Sequence, residues 1–171
     1  NTIYNKMRNF LIILIVLIVS ACAGIPSYSF RGGEIPGETF SIESFSNSAS
    51  IVNPNLSISL QDAMQNRFTN ESNLKYTDGI GDAHFIGMIT KYKITPVQGT
   101  GNETVALNRL TISLKITYAN SVSNEQDFDK TFTSYDDFES TEDFNNKEED
   151  LIESISEKLV ALVYNQVLVD W

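Results

Sequence analysis

The side chains able to do chemistry are few. The chain contains one His, His84, and one Cys, Cys22. One His allows at most one Ser–His or Cys–His pairing, and this set is too small for a disulfide or a structural zinc site. His84 stands two residues after Asp82 at the start of a strand-like run. As a general base it would need a Ser nucleophile, yet no G-x-S-x-G turn accompanies it. The simpler reading is a strand residue with a local hydrogen bond. Carboxylates are plentiful at Asp136-Asp137, Glu139, Glu142-Asp143 and Glu148-Glu149-Asp150. A calcium loop would require ordered oxygen ligands around a central Gly, and no Gly lies there. A glycoside-cleaving pair stays open, because any two carboxylates could meet in space. Solvated loops and helix N-termini account for such runs more simply. Gly99-Thr100-Gly101 is too short to cradle a phosphate and precedes no helix. No catalytic set, metal site or cofactor is expected.

The polar residues with most to say are basic. Lys91 and Lys93 are two apart and share a strand face, as do Arg109 and Lys115 on the next strand. From Phe85 to Thr117 these four stand against a single acid, Glu103, in a chain of net charge −10. They could keep a sheet soluble or pair with Asp127 and Asp129. Alternatively they form a contact for an anionic lipid or partner group such as phosphate or carboxylate. The chain as a whole, with 22 acidic and 12 basic residues, lacks the basic surface that nucleic acid demands.

These residues need a scaffold. The strand-like Thr39 to Phe45 puts Phe40 and Ile42 on one face. Asn53-Pro54 supplies a cap and a first-turn Pro, and Leu56, Leu60, Ala63, Met64 and Phe68 follow at helical spacing. Strands are expected over Ala83 to Pro96, with Ile86, Met88, Tyr92 and Ile94 inward, and over Val105 to Ala119. In the latter, Ala106, Leu110, Ile112, Leu114, Ile116 and Tyr118 alternate with polar residues. Gln98–Asn102 is the expected turn between them. A further strand spans Gln126 to Tyr135. A last helix runs from about Lys147 to Val169, capped near Asn145 with Glu148 three residues on. Its buried stripe is Ile152, Ile155, Leu159, Leu162, Val163 and Gln166-Val167. With a short strand at Tyr28–Phe30 the order is β-β-α-β-β-β-α. This α+β pattern packs two helices on one face of a mostly antiparallel sheet. A length of 171 residues fits one domain.

The N-terminal segment reads as an address. Phe10 to Ala21 is uncharged and apolar, follows Lys6 and Arg8, and has the proportions of a signal-peptide core. It is short of the roughly 20 residues that span a bilayer. Val19-Ser20-Ala21-Cys22 resembles the bacterial lipobox, so residues 1–21 are expected to be cleaved and Cys22 lipidated. Met7 is the expected start. Ala23-Gly24-Ile25-Pro26-Ser27 contains no acid, which favours an outer-membrane anchor facing the periplasm. Residues 22–171 then form the single mature domain. Its acidity is local: residues 125–157 hold 13 acids and two Lys.

Several stretches together carry a resemblance. Tyr28-Ser29-Phe30-x-Gly32-Gly33 follows the Cys, and Asn53-Pro54-Asn55-Leu56-Ser57 opens the first helix. Phe85-Ile86-Gly87-x-Ile89-Thr90-x-Tyr92-x-Ile94-Thr95-Pro96 and Ala106-Leu107-Asn108-Arg109-Leu110-Thr111-Ile112 are strands. Glu149-Asp150-Leu151-Ile152 and Trp171 complete the set. The mature chain resembles the LptE family of lipopolysaccharide-assembly lipoproteins in its Bacteroidetes form. The resemblance implies two helices on a four-stranded sheet, seated in the lumen of an LptD-type outer-membrane β-barrel. There such a protein plugs and assists assembly of the barrel during lipopolysaccharide transport. Some members are thought to touch lipopolysaccharide, but no motif transfers those contacts to particular residues. The alternative is a periplasmic lipoprotein adaptor for a cell-wall enzyme or secretion complex.

Overall fold

A computed structural model describes residues 34–97 and 106–168. The leader 1–21, Cys22, the Tyr28–Phe30 strand, the Gln98–Asn102 turn and Trp171 lie outside the described residues. Short β1 (Thr39–Ile42) and β2 (Ser46–Asn47) precede helix α1 (Pro54–Glu71), and β3 (Lys75–Tyr76) follows it. Three long strands come next, β4 (Ala83–Val97), β5 (Leu107–Asn120) and β6 (Phe128–Glu139), and then helix α2 (Phe144–Leu168).

The fold class is α+β, as expected, but the sheet differs. It has six strands among the described residues, in the order β3-β1-β4-β5-β6 with β2 also on β4. It is mixed, not four-stranded and mostly antiparallel. β1 and β2 run parallel to β4, and β3 parallel to β1, while β4–β5 and β5–β6 are antiparallel. The cause is the crossover: α1 carries the chain back to the end where β1 began, so β4 starts in the same direction. Strands of two to four residues are too short to display alternation, so this partnership has no local signature.

The expected strand Thr39–Phe45 is divided into β1 and β2. Ile42 pairs with Phe85 and Ser46 with Met88, so three residues of one strand face two of β4. The irregularity seats the buried Phe45 ring over Gly87, where a Cβ would lie 2.2 Å from Phe45 Cδ1.

A second irregularity reverses part of the expected β4 face. The β4–β5 register shifts between Ile89 and Lys91, leaving Thr90 as the extra residue of a bulge. Before it, Phe85, Gly87 and Ile89 point into the core; after it, Tyr92 and the partly buried Ile94 do. Ile86 and Met88 were expected inward with Tyr92, but they face out at 43% and 41% exposure. A period of two carried across a bulge assigns one half of the strand to the wrong face.

Both helices cover the inner face. Leu56, Leu60, Met64 and Phe68 line the buried side of α1, each four residues from the last. Asn53 Oδ1 accepts from the Asn55 N–H at 2.8 Å, satisfying one free donor at the helix start. Helix α2 buries Ile152, Ile155, Leu159, Val163 and Val167 as expected, together with Val160 and Tyr164. Leu162 is exposed and Gln166 half-buried, because the 3.6-residue pitch turns the stripe toward Val160 and Tyr164. The start of α2 also differs: Asp143 Oδ1 accepts from the Asn145 N–H at 3.0 Å, and the helix begins at Phe144. Glu148 is therefore free for a tertiary role. It accepts from Asn53 Nδ2 at 2.8 Å and from the Tyr92 hydroxyl at 2.5 Å, tying both helix starts to β4. Burial and then the Glu148 carboxylate push the Tyr92 phenol far above its ordinary range. Phe40, Phe68, Phe85, Tyr118 and Phe128 form a chain of rings across the core, with centroids 4.8 to 5.7 Å apart.

Candidate functional site on the open sheet face

The helices leave the other face of the sheet uncovered by any described element. Alternation on β5 and β6, and the bulge on β4, decide which residues it presents. From β4 these are Ile86, Met88, Lys91 and Lys93; from β5, Arg109, Thr111, Ser113, Lys115 and Thr117; from β6, Asp129, Thr131, Thr133, Tyr135 and Asp137. Lys91 lies opposite Ser113, Lys93 opposite Thr111 and Met88 opposite Lys115. All four expected basic residues thus stand on one face.

Their electrostatic states differ. Arg109 donates from Nε and Nη2 to the two oxygens of Asp137 at 2.7 and 2.8 Å, and its guanidinium lies 3.7 Å over the Tyr135 ring. The two-pronged contact holds the Asp137 carboxyl below its usual range and raises Arg109. Lys115 Nζ sits 3.0 Å from Asp129. Asp127 instead accepts the Asn120 N–H at 2.8 Å. Lys91 and Lys93 are exposed and make no ion pair among the described residues. Between the charges lies a hydroxyl row, in which Ser113 Oγ and Thr133 Oγ1 are 2.8 Å apart. Ile86 and Met88 add an apolar strip beside the lysines. Among the described residues the face thus offers two cations outside any ion pair, a row of hydroxyls and a small apolar strip.

His84 lies at the edge of this face as a strand residue, and its hydrogen bonds are not local in sequence: they go to Ser41 and Glu43. Ser41 Oγ accepts from the Gly81 N–H at 2.9 Å and is hydrogen-bonded to His84 Nδ1 at 2.7 Å, while His84 Nε2 lies 3.2 Å from Glu43 Oε1. The Ser–His–Glu order mimics a nucleophile relay. Ser41, however, is only 4% exposed and is held on one side by a backbone donor. The described cavities lie elsewhere, including about 520 Å³ between the helices beside Asp62, Glu149, Glu153 and Glu157. The parallel register that places Ser41 opposite His84 comes from the crossover, so sequence reasoning had no signal for this pair.

Asp82 locks the neighbouring turn. Its Oδ2 accepts from the Glu38 N–H at 2.9 Å and from the Thr39 N–H and Thr39 hydroxyl at 3.1 Å. These bonds hold its carboxyl below the usual range. A depressed carboxylate stabilises the fold above its unfolded pKa and loses that contribution as pH falls through the folded value. Asp82→Asn should therefore melt lower at neutral pH and lose less stability on acidification from about pH 5. A melting series from pH 7 to 3 checks this, and an unaltered acid limb would remove Asp82 from the account.

Among the described residues, no group of three or more His, Cys, Asp or Glu could hold a metal ion. No described helix is long and apolar enough to cross a membrane.

A crossover helix, a second helix on the same face and an open polar sheet face define a small two-layer α+β domain. The LptE lipopolysaccharide-assembly model matches residues 37–167, and the chain belongs to that family. Its members are non-enzymatic components of lipopolysaccharide assembly at the cell envelope. A crystal structure from Xanthomonas campestris shares the fold at TM-score 0.51 and 10% identity, covering 84% of this chain and 89% of that one. A minor lipoprotein of Acinetobacter baumannii aligns at TM-score 0.43 and 12% identity, covering 76% of this chain and 91% of the other. An uncharacterized lipoprotein B from Nitrosomonas europaea aligns at TM-score 0.46 and 14% identity, covering 85% and 90%. The comparison with curated protein sequences finds no match.

Proposed function

We propose that the protein is an outer-membrane lipoprotein, anchored through an acylated Cys22, that plugs and assists assembly of an LptD-type β-barrel during lipopolysaccharide transport. The family match over residues 37–167 is the observation that carries this reading. The absence of an acid directly after Cys22 supports the outer-membrane placement. Within a single domain from residue 22 to 171, the open sheet face supplies the contact surface. Lys91 and Lys93 meet phosphate or carboxylate, while Ile86 and Met88 meet the adjoining apolar part of the same ligand. Arg109 and Lys115 shape the face through their pairs with Asp137 and Asp129. The work done is contact area and positioning, with no bond made or broken.

A tagged chain isolated from gently solubilised outer membranes should bring down a large β-barrel in near-equal amount. Recovery as a lone monomer, with the barrel left behind, would count against the plug.

A further inference from the structure

Among the described residues the sheet ends on one side in the two-residue β2 and β3, and on the other in the twelve-residue β6. A two-residue edge offers little to pair with, whereas a long open edge is a template for another strand. The Ser140 N–H donates to the Ala106 carbonyl at 2.9 Å, so even-numbered residues direct their backbone groups toward β5. The β5–β6 register runs unbroken from Phe128 to Glu139, and alternation turns the N–H and C=O groups of the odd-numbered residues outward. Two of these donors are occupied by local acids. The Asp137 N–H meets Asp136 Oδ1 at 3.2 Å, and the Glu139 N–H meets Glu142 Oε2 at 3.3 Å. Those of Thr131, Thr133 and Tyr135 meet no acceptor among the described residues, and all three residues are exposed.

A groove of about 370 Å³ lies beside the same stretch, between β6 and α2. The buried Phe132 lines it from the strand, and Leu162, 44% exposed, lines it from the helix. The charges on this side of β6 are already held by α2. Lys130 Nζ donates to Gln166 Oε1 at 2.5 Å, and Asp136 Oδ2 accepts from Ser154 Oγ and Lys158 Nζ at 2.7 and 2.8 Å. The stretch between them, Thr131 to Tyr135, is uncharged. Over the whole strand region, Asp127 to Glu139, five acids stand against one Lys. A second copy of the chain would set two acidic edges against each other, whereas a basic segment is complementary.

We infer that the outer edge of β6 takes up an extended, basic segment of the barrel protein as an added strand, with an apolar side chain of that segment seated on Phe132 and Leu162. The inference rests on the barrel-plug reading and specifies where and how the two chains join. Main-chain bonds to Thr131, Thr133 and Tyr135 supply affinity, the groove sets the register, and the acids at either end select positive charge. This edge is separate from Lys91 and Lys93, which lie on β4, two strands away. Both surfaces can therefore be engaged at once.

The test compares the full chain, free in detergent, with its barrel complex isolated from gently solubilised outer membranes. Amide hydrogen exchange is followed residue by residue. In the free chain the amides of Phe132 and Ser134, bonded to β5, should exchange slowly, and those of Thr131, Thr133 and Tyr135 fast. In the complex the latter three should slow by at least about tenfold. A photo-cross-linker at position 131 should map to one stretch of the barrel protein that carries Lys or Arg. Thr133→Pro removes an outward N–H and leaves the β5 ladder whole; Thr133→Val loses the same hydroxyl but keeps that donor. The Pro variant should recover at least about fivefold less barrel than the Val variant. Leu162→Glu, in the groove, should lose barrel likewise, and it decides should Thr133→Pro fail to fold by its far-UV spectrum. A complex in which the three amides keep their free-chain rates overturns the added strand and leaves the barrel reading standing. Slow exchange at these amides in the free chain means that the chain or a second copy covers the edge, and also overturns it. A wild-type chain that brings down no barrel removes both readings.

Discussion

Gly87→Val is expected to destabilise the fold by about 3 kcal/mol, at the upper end of ordinary overpacking costs. The backbone there needs no unusual torsion, since Gly37 is the one residue with positive φ among those described. The difficulty is space. The Phe45 ring occupies the position of a side chain at Gly87, with Cδ1, Cε1 and Cγ at 2.2, 2.4 and 2.8 Å from an ideal Cβ. Phe45 cannot yield easily, because its ring is buried in the core, and its carbonyl, which accepts the Ser57 hydroxyl at 2.9 Å, holds the backbone in place. Urea midpoints check the prediction. Pairing Gly87→Val with Phe45→Ala should cost clearly less than the sum of the two single changes, as the valine fills part of the vacated space. Full additivity would mean that the ring and the glycine are not in contact.

Lys91→Glu/Lys93→Glu should weaken binding to lipopolysaccharide or lipid A vesicles by at least about 30-fold at low salt. Removing each cation from an anionic lipid surface costs about 1 kcal/mol, and reversal adds repulsion. The loss should shrink as salt rises. Arg109→Gln/Lys115→Gln should weaken binding less, because those cations already face Asp137 and Asp129 at 2.7 and 3.0 Å. Its main effect should fall on melting temperature, through the lost Asp137 fork and Tyr135 contact. Titrations of both variants at two salt concentrations, with far-UV spectra as a folding check, separate these effects. Equal losses from the two pairs would spread the site over the whole face. No loss from the β4 pair would return Lys91 and Lys93 to a solubilising role.

The roles of these lysines show how far sequence reasoning reached. Lys91 and Lys93 share a face because strand geometry is local, and Arg109 and Lys115 share theirs for the same reason. Which cations remain free depended on β6, whose register sets Asp137 opposite Arg109 and Asp129 opposite Thr117, one pair away from Lys115. The expected pairing with Asp129 occurs, while Asp127 goes to the backbone of Asn120. The Ser41–His84–Glu43 array was illegible, since its members come together through a parallel register between strands separated by a helix.

By itself the sequence determined the features that rest on neighbours within a few residues. These are the Leu56–Phe68 stripe of α1, the Asn53-Pro54 start, the even-numbered inward face of β5 from Leu110 to Tyr118, and the α+β class. Only the tertiary structure decided the mixed six-stranded sheet, the outward turn of Ile86 and Met88 at the Thr90 bulge, and Glu148 as a bridge to Tyr92 instead of a helix cap. The physical reason is the range of the forces involved. Helical pitch and strand alternation are written into every few residues, whereas a bulge, a crossover or a borrowed carboxylate is selected by packing between segments distant along the chain.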